Sequence, residues 1–583
     1  MDFNYIKKIL KISRLKNKVY LITFFSLVSS FFDIFSIGLI LPIINFLFSN
    51  NVELNLNSHS LFYNFNLADV NLNIQILLIL FLVGYFFKSF LTVFIYRYIT
   101  KIKLNLQASL RLELIKKYDN LAFSFFLKKQ SSEYIHNITS VVTVYSNVLM
   151  SFLRIISEVV IIIIILAYLS FINFKVIFTL FPFFLFLLLL YYFLLRKKTI
   201  LIGKNINDDS KGIIQDIKDF ITGFKEIKIS NKSLYFINLI ETKAKNLASN
   251  SIFYETILFI PRHLFEFTII AALILSIYLN LEFFEKNKVD ILASIAAYFY
   301  ASLRLIPSLS LVSRMLTIME NGKVFSNNLY ADLFENKIAE SKFINKNSIL
   351  DNGEWEFQSL KLKNIFFSYQ NSNDILNNLS FEIKKRDSIF ISGKSGGGKT
   401  TIFDIILGLY EPKSGEIQIN DSNDKKQLQF LRNNTYYLSQ NRFLFNDSIF
   451  KNIVIDNNVQ DYHDLDQQDK NHFDSAISVS RVNEFADHKK HGMNFRIGEG
   501  GSKLSGGQRQ RLMIARALFS NKQILIFDEA TSEIDMFNET EIFKDILVKF
   551  SLKTLLVISH RETLNQFFKN TYVLENGKLQ KKI

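Results

Sequence analysis

No cysteine occurs in the 583-residue chain, which excludes disulfide bonds, thiolate-held metals and cysteine nucleophiles and says little about compartment. No internal repeat is present, and residues 49–74 contain no Lys or Arg. The first apolar run has no small-residue cleavage site; it continues into "LPIINFLF" and is too long for a cleaved signal. What the chain does have is apolar bulk. Hydrophobic residues make up 49% and mean hydropathy is +0.18, high for a soluble enzyme. Long apolar runs fill the first 320 or so residues, whereas the remainder has the composition of a soluble domain.

Runs of about 20 or more apolar residues mark membrane-spanning helices. Six are read, at 19–48, 75–98, 148–172, 174–195, 254–280 and 289–316. Lys and Arg orient them, because basic residues are retained on the cytoplasmic side. Residues 1–18 carry six, the loop 49–74 none, and the segments 99–147 and 196–253 are basic throughout. Both termini are therefore expected in the cytoplasm. The same distribution accounts for the net charge of +15 without a nucleic-acid partner. The two inner connections are each about 50 residues long and helical in character, as spanning helices extended past the bilayer would be. Residues 317–336 are expected to continue the last helix. The polar stretch 337–354 reads as a linker between a membrane domain (1–336) and a nucleotide-binding domain (355–583).

In the second domain "GKSGGGKT" (393–400) follows the apolar strand "SIFIS" and opens a helical segment. This is a phosphate loop in its proper context, built from Gly393, Lys394, Ser395, Gly396, Gly397, Gly398, Lys399, Thr400 and the adjoining Thr401. Its glycines let backbone N–H groups wrap phosphates, and the helix presents its positive end. Lys399 is placed for the β- and γ-phosphates of ATP, and the Thr400 hydroxyl for Mg²⁺. "ILIFDEATS" (524–532) is a strand ending in two carboxylates: Asp528 for the Mg²⁺ shell, Glu529 for polarising the attacking water. Between the two motifs lies "LSGGQRQR", which supplies Leu504, Ser505, Gly506, Gly507 and Gln508.

With these motifs in this order, the C-terminal part resembles an ABC-type ATPase domain, "LSGGQ" being its signature. The resemblance implies further roles. Tyr369 of "FFSYQ" would stack on adenine, and Gln440 of "YYLSQN" would be the Q-loop residue, which also meets the Mg²⁺. Asp535 of "SEID" falls in the D-loop, where many relatives have Ala-Leu in place of Glu533-Ile534. His560 of "VISHR" would contact the γ-phosphate. The whole chain is similar to a half-size exporter: an α-helical transmembrane domain of six spans followed by an α/β P-loop domain. In that family the signature of one subunit completes the phosphate-loop site of another, so the resemblance implies pairing, as a homodimer because neither half-site is degenerate. It also implies residence in the bacterial inner (plasma) membrane with the ATPase domain cytoplasmic.

Substrate is read from weaker signals. The first span begins near residue 19, with no room ahead of it for a peptidase, which argues against a leader-cleaving peptide exporter. "FFDIFSIGLILPII", "IPRHLFEF" and "SLRLIPSLSLVSR" resemble segments of the lipid-linked oligosaccharide flippases of bacterial protein N-glycosylation (PglK-type). There, Lys88, Arg262 and Arg304 fall where that family has arginines, and the resemblance implies that they meet the lipid pyrophosphate. Lys88 stands for an arginine, and Leu311 where another arginine is found. No acidic residue lies four positions from Lys88 or Arg304, whereas Arg262–Glu266 and Arg154–Glu158 have the spacing of helical ion pairs. Pro261 is expected to loosen the helix ahead of Arg262. Two other classes stay open: a general lipid, drug or peptide exporter, and an ATP-gated channel or regulator.

Overall fold

The computed structural model describes residues 3–13, 16–48, 74–172, 174–283, 288–335, 355–369, 373–440 and 443–582; the linker read at 337–354 lies outside the described residues. The chain divides into two units, Met1–Leu121 with Phe125–Glu340, and Ala122–Ser124 with Ser341–Ile583.

The first unit is helical. Among the described residues it has six long helices, Lys16–Phe48, Ile74–Asp119, Val142–Ile172, Phe174–Thr222, Ser233–Phe283 and Lys288–Asn321, each containing one of the apolar runs. Three of them run for 46, 49 and 51 residues. At ~1.5 Å per residue these reach roughly 70–76 Å, more than twice a ~30 Å hydrocarbon core. The connections read at 99–147 and 196–253 are thus largely continuations of the apolar helices, with short helices at their turns. Among the described residues, three segments are long and apolar enough to cross a membrane by length and composition: Lys18–Ser36, Ile74–Asp119 and Ser131–Tyr168. The spans read at 174–195, 254–280 and 289–316 fall wholly or partly on residues whose side chains lie outside the described ones. The last helix does not continue without a break. It stops at Asn321, and after Gly322 the chain resumes as Lys323–Tyr330 and Ala331–Glu335. In the polar part of this unit the buried carboxylate of Asp332 accepts hydrogen bonds from Tyr118 (2.7 Å), Lys129 (2.7 Å) and Asn137 (2.8 Å), the saturation a buried charge requires.

The second unit is α/β. Strands β5 (Thr435–Leu438), β6 (Ile524–Asp528), β7 (Thr554–Ile558), β3 (Ser388–Gly393), β8 (Asn570–Glu575) and β9 (Lys578–Lys582) form a six-stranded sheet in that order. All neighbours are parallel except β8–β9. A second, antiparallel sheet has the order β2 (Leu376–Lys384), β1 (Ser359–Phe367), β4 (Ser414–Ile419). Every residue of β6 and β7 is buried, which is why residues 524–527 and 555–558 read as uninterrupted apolar runs. Alternation survives in what they touch. Leu525, Phe527, Leu555 and Val557 join one core with the helices Gln467–Val479, Gly506–Phe519 and Met536–Lys549. Ile524, Ile526, Leu556 and Ile558 join the other, with the antiparallel sheet and the helix Lys399–Ile406.

Candidate nucleotide-binding site

In a parallel sheet the loops leaving the carboxyl ends of the strands gather on one edge. Pairing of Leu438 with Phe527 places Gln440 beside Glu529, each two residues past that pair. Pairing of Ile391 with Ile558 places Gly393 beside His560 in the same way. Strand register alone therefore collects the phosphate loop, the Q-loop, the two carboxylates and the histidine.

Side-chain geometry completes the cluster. Gln440 Nε2 donates to one Glu529 oxygen at 2.8 Å, and His560 Nε2 lies 2.9 Å from the other. Glu529 sits at φ 50°, left-handed for a residue with a Cβ, and its N–H donates to Ile558 O at 3.0 Å. Such a conformation costs on the order of 1–3 kcal/mol and persists only where the surroundings fix it. Lys399 Nζ is caged by Gly393 O (2.9 Å) and Lys394 O (3.1 Å) and stands 3.4 Å from His560 Nε2. Burial lowers its pKa, opposed by Glu529 and Asp528. Gly398 just before it has φ 96°, and a Cβ there would lie 2.6 Å from Ile375 Cγ2, so the loop's last turn accepts only glycine. The glycine at 396 opens onto free space, and Ser395 and Gly397 complete the loop.

Asp528 is almost fully buried. Burial raises its pKa, while hydrogen bonds with Thr400 and Tyr437 lower it; Tyr437 Oη donates at 2.9 Å. A hydroxyl beside one buried carboxylate, with no cluster of three or more acidic or imidazole ligands among the described residues, fits Mg²⁺ held partly by phosphate and water. Thr400 and Asp528 would hold that ion, with Gln440 within reach of Glu529 beside it; it would neutralise phosphate charge. Tyr369 is anchored by a 3.1 Å bond between its hydroxyl and that of Thr401, with its ring edge-on to Tyr410. Tyr437 and Tyr410 escape a sequence reading, because their roles depend on register and ring packing and not on a motif.

The signature lies elsewhere. Ser505 caps the helix Gly506–Phe519 by accepting from Gln508 N (3.2 Å), and Gln508 Oε1 accepts from Ser505 N (3.0 Å). Leu504 is buried beneath the turn. A Cβ on Gly506 would fall 1.6 Å from Glu533 Oε2, and one on Gly507 3.1 Å from Glu533 O. The signature thus packs on the D-loop. Asp535 caps the next helix, and the Asn538 N–H that it accepts holds its carboxyl below the usual range. Arg561 ties the same loop from its other side, donating to Ser532 O, Ile534 O and the buried Glu539 carboxylate. Among the described residues no hydrogen bond or ion pair joins Leu504–Gln508 to the phosphate loop.

The family model described as ABC transporter matches residues 376–532. The chain carries an ABC transporter domain. Over 225 residues, 38% of either chain, it is 36% identical to an ATP-dependent lipid A-core flippase of Pasteurella multocida (strain Pm70). A protein of the same description from Wigglesworthia glossinidia brevipalpis is 29% identical over 390 residues, 65% of this chain and 63% of that one. The matches thus span less than two thirds of either relative's length. In fold, the chain is similar to a bacterial Atm1-family ABC exporter with ATP bound: TM-score 0.76, 18% identity, 98% of this chain and 94% of that one covered. The fold is that of an ABC exporter, a helical unit plus an α/β nucleotide-binding unit.

In the ABC domain Asp404, one turn past the phosphate loop, is buried near Asp528, and burial lifts its pKa to about 6. A carboxyl raised in this way favours the fold only while protonated; that contribution is complete below about pH 4 and is lost as pH rises through 6. Asp404→Asn is therefore expected to gain stability over the parent progressively between pH 4 and 6 and to hold the gain above, by on the order of 3 kcal/mol. Thermal unfolding of the nucleotide-free protein across pH 4.5–8 measures it. A pH-independent gain would be the contrary result.

Of the basic residues in the apolar helices, Lys88 stands differently from the sequence reading. Lys88 has an acidic partner after all: Asp33 on the first long helix, with Nζ to Oδ1 at 3.3 Å. Spacing along Lys88's own helix does not register a partner on another. Arg262 Nε pairs with Glu266 at 2.8 Å, as the spacing suggests, and the helix runs on through Pro261. The Arg154 guanidinium lies over the Tyr96 ring at 4.5 Å. The side chain of Arg304 is outside the described residues.

Proposed function

We propose that the chain is one half of a homodimeric exporter in a bacterial inner membrane, with both termini and the ATPase domain cytoplasmic. It would hydrolyse ATP with Mg²⁺ to flip an amphipathic anionic lipid, specifically a lipid-linked oligosaccharide. The observation that carries the ATPase reading is Glu529, held on both oxygens by Gln440 and His560 beside Lys399. Lipid as cargo is supported by the flippases to which the ABC domain is similar. A pyrophosphate headgroup is supported by basic residues in the apolar helices, since guanidinium groups bind phosphate in bidentate fashion. Nucleic acid has no role in this reading.

The ion pairs at Lys88 and Arg262 favour a second reading, in which these charges are structural and the cargo is weakly charged. Flipping of a lipid-pyrophosphate oligosaccharide in proteoliposomes separates the two. Arg262→Ala and Arg304→Ala are each expected to slow flipping ~10-fold or more, the scale of one charge-assisted hydrogen bond, at unchanged basal ATPase. Unchanged flipping in both variants would support the weakly charged cargo.

A further inference from the structure

We infer that Asp33 is a built-in counter-ion for Lys88, which an anionic headgroup must displace; this rests on the reading of Lys88 as part of the headgroup site. Asp33 and Lys88 belong to the first and second long helices, and their side chains are 4% and 15% exposed. Counted from the outer ends of the two spans, Phe48 and Gln75, they lie 15 and 13 residues in, ~20–23 Å deep at ~1.5 Å per residue. Both charges are therefore at the same depth inside the apolar layer.

The pairing is built into the helix contact. At Gly84, one turn before Lys88, a Cβ would stand 3.1 Å from the Phe35 ring and 3.3 Å from Ser36 Oγ, so glycine lets the helices approach. Ser26, Ser29, Ser30 and Ser36 are buried on the first helix around Asp33. The hydroxyl of Ser26 meets that of Ser157 on the third long helix at 2.7 Å. Asp33 thus stands in a polar seam, and Lys88 reaches across to it while its ammonium lies 4.6 Å from the half-exposed Tyr85 ring.

An unpaired charge at this depth is costly, so Asp33 lets Lys88 rest there without substrate. The same carboxylate sets a threshold. A headgroup taking Lys88 must outcompete an aspartate already in contact, and once bound it faces a carboxylate deprived of its cation. A phosphate or pyrophosphate carrying a concentrated negative charge meets that demand; a zwitterionic bulk lipid does not. Asp33 therefore weakens binding in exchange for selectivity and release.

The test uses the full-length protein in phosphatidylcholine proteoliposomes, with a polyprenyl pyrophosphate or phosphatidylglycerol titrated in and ATPase stimulation read out. Asp33→Asn is expected to lower the half-stimulating concentration of the pyrophosphate ~10-fold, equal to ~1.4 kcal/mol, and to make phosphatidylglycerol stimulatory. Lys88→Gln should raise it. The double variant, with both charges removed so that neither is left unpaired, should match Lys88→Gln. Asp33→Glu should match the parent. A gain from Asp33→Asn that persists in the Lys88→Gln background overturns the exchange, as does no gain at all. Failure of Asp33→Asn to fold while the double variant folds, with a pyrophosphate response equal to the parent's, also overturns it. If Lys88→Gln alone responds like the parent, the headgroup site itself is wrong. If Lys88→Gln weakens the response and Asp33→Asn leaves it unchanged, that site stands and only the counter-ion role falls.

Discussion

Glu529→Gln is expected to leave ATP binding intact and to lower turnover ~10²–10⁴-fold, the span associated with losing a positioned proton acceptor. Binding survives because Lys399, the glycine loop and Tyr369 are untouched. The amide is isosteric, so its oxygen still accepts from Gln440, and the strained backbone at φ 50° is kept by the bond to Ile558 O. What disappears is the negative charge that would draw a proton from water. Gln440 does not substitute for it, because an amide is not a base, and His560 Nε2 already faces Glu529 and the Lys399 ammonium. Equilibrium binding of a fluorescent nucleotide and steady-state phosphate release measure the two halves of the expectation. Turnover within a few-fold of the parent would move the role to another group.

The ABC domain was legible because its chemistry is local in sequence. A glycine run must follow a strand and open a helix, and adjacent carboxylates must end an apolar strand, so Lys399, Asp528 and Glu529 announce themselves. The long helices were legible for a similar reason: apolar runs followed by amphipathic ones leave few alternatives. What was not legible depends on contact between distant elements. Tyr437 meets Asp528 only through the β5–β6 register. Asp404 acquires its shifted titration only when its helix packs beside β6. Asp33 and Lys88, 55 positions apart in the chain, meet only because Gly84 lets two helices close. The break after Asn321 was likewise invisible to apolar periodicity, which continues on both sides of Gly322.

The second large effect tests the proposal that sites are shared between subunits. Lys399→Ala removes the ammonium now held by two loop carbonyls, and with it the charge that would meet the phosphates. Ser505→Arg puts a long cation at the head of the signature helix. It also forfeits a cap worth ~1 kcal/mol, small beside the buried face of Leu512, Met513, Ile514 and Leu518 that holds this helix in the core. Each variant alone is expected to reduce ATPase to near background, since both sites of a symmetric dimer then carry the lesion. Dimers containing one subunit of each kind behave differently if every nucleotide is clasped by the phosphate loop of one subunit and the signature of its partner. One site then combines both lesions and the other is intact, so turnover should return. If each subunit completed its own site, both sites of the mixed dimer would be damaged and nothing would return. The packing of Gly506 and Gly507 on Glu533, with no bond from the signature to its own phosphate loop among the described residues, supports the shared arrangement. Co-expression with two affinity tags, sequential purification and phosphate-release rates decide it, and mixed dimers no more active than either parent would rule sharing out.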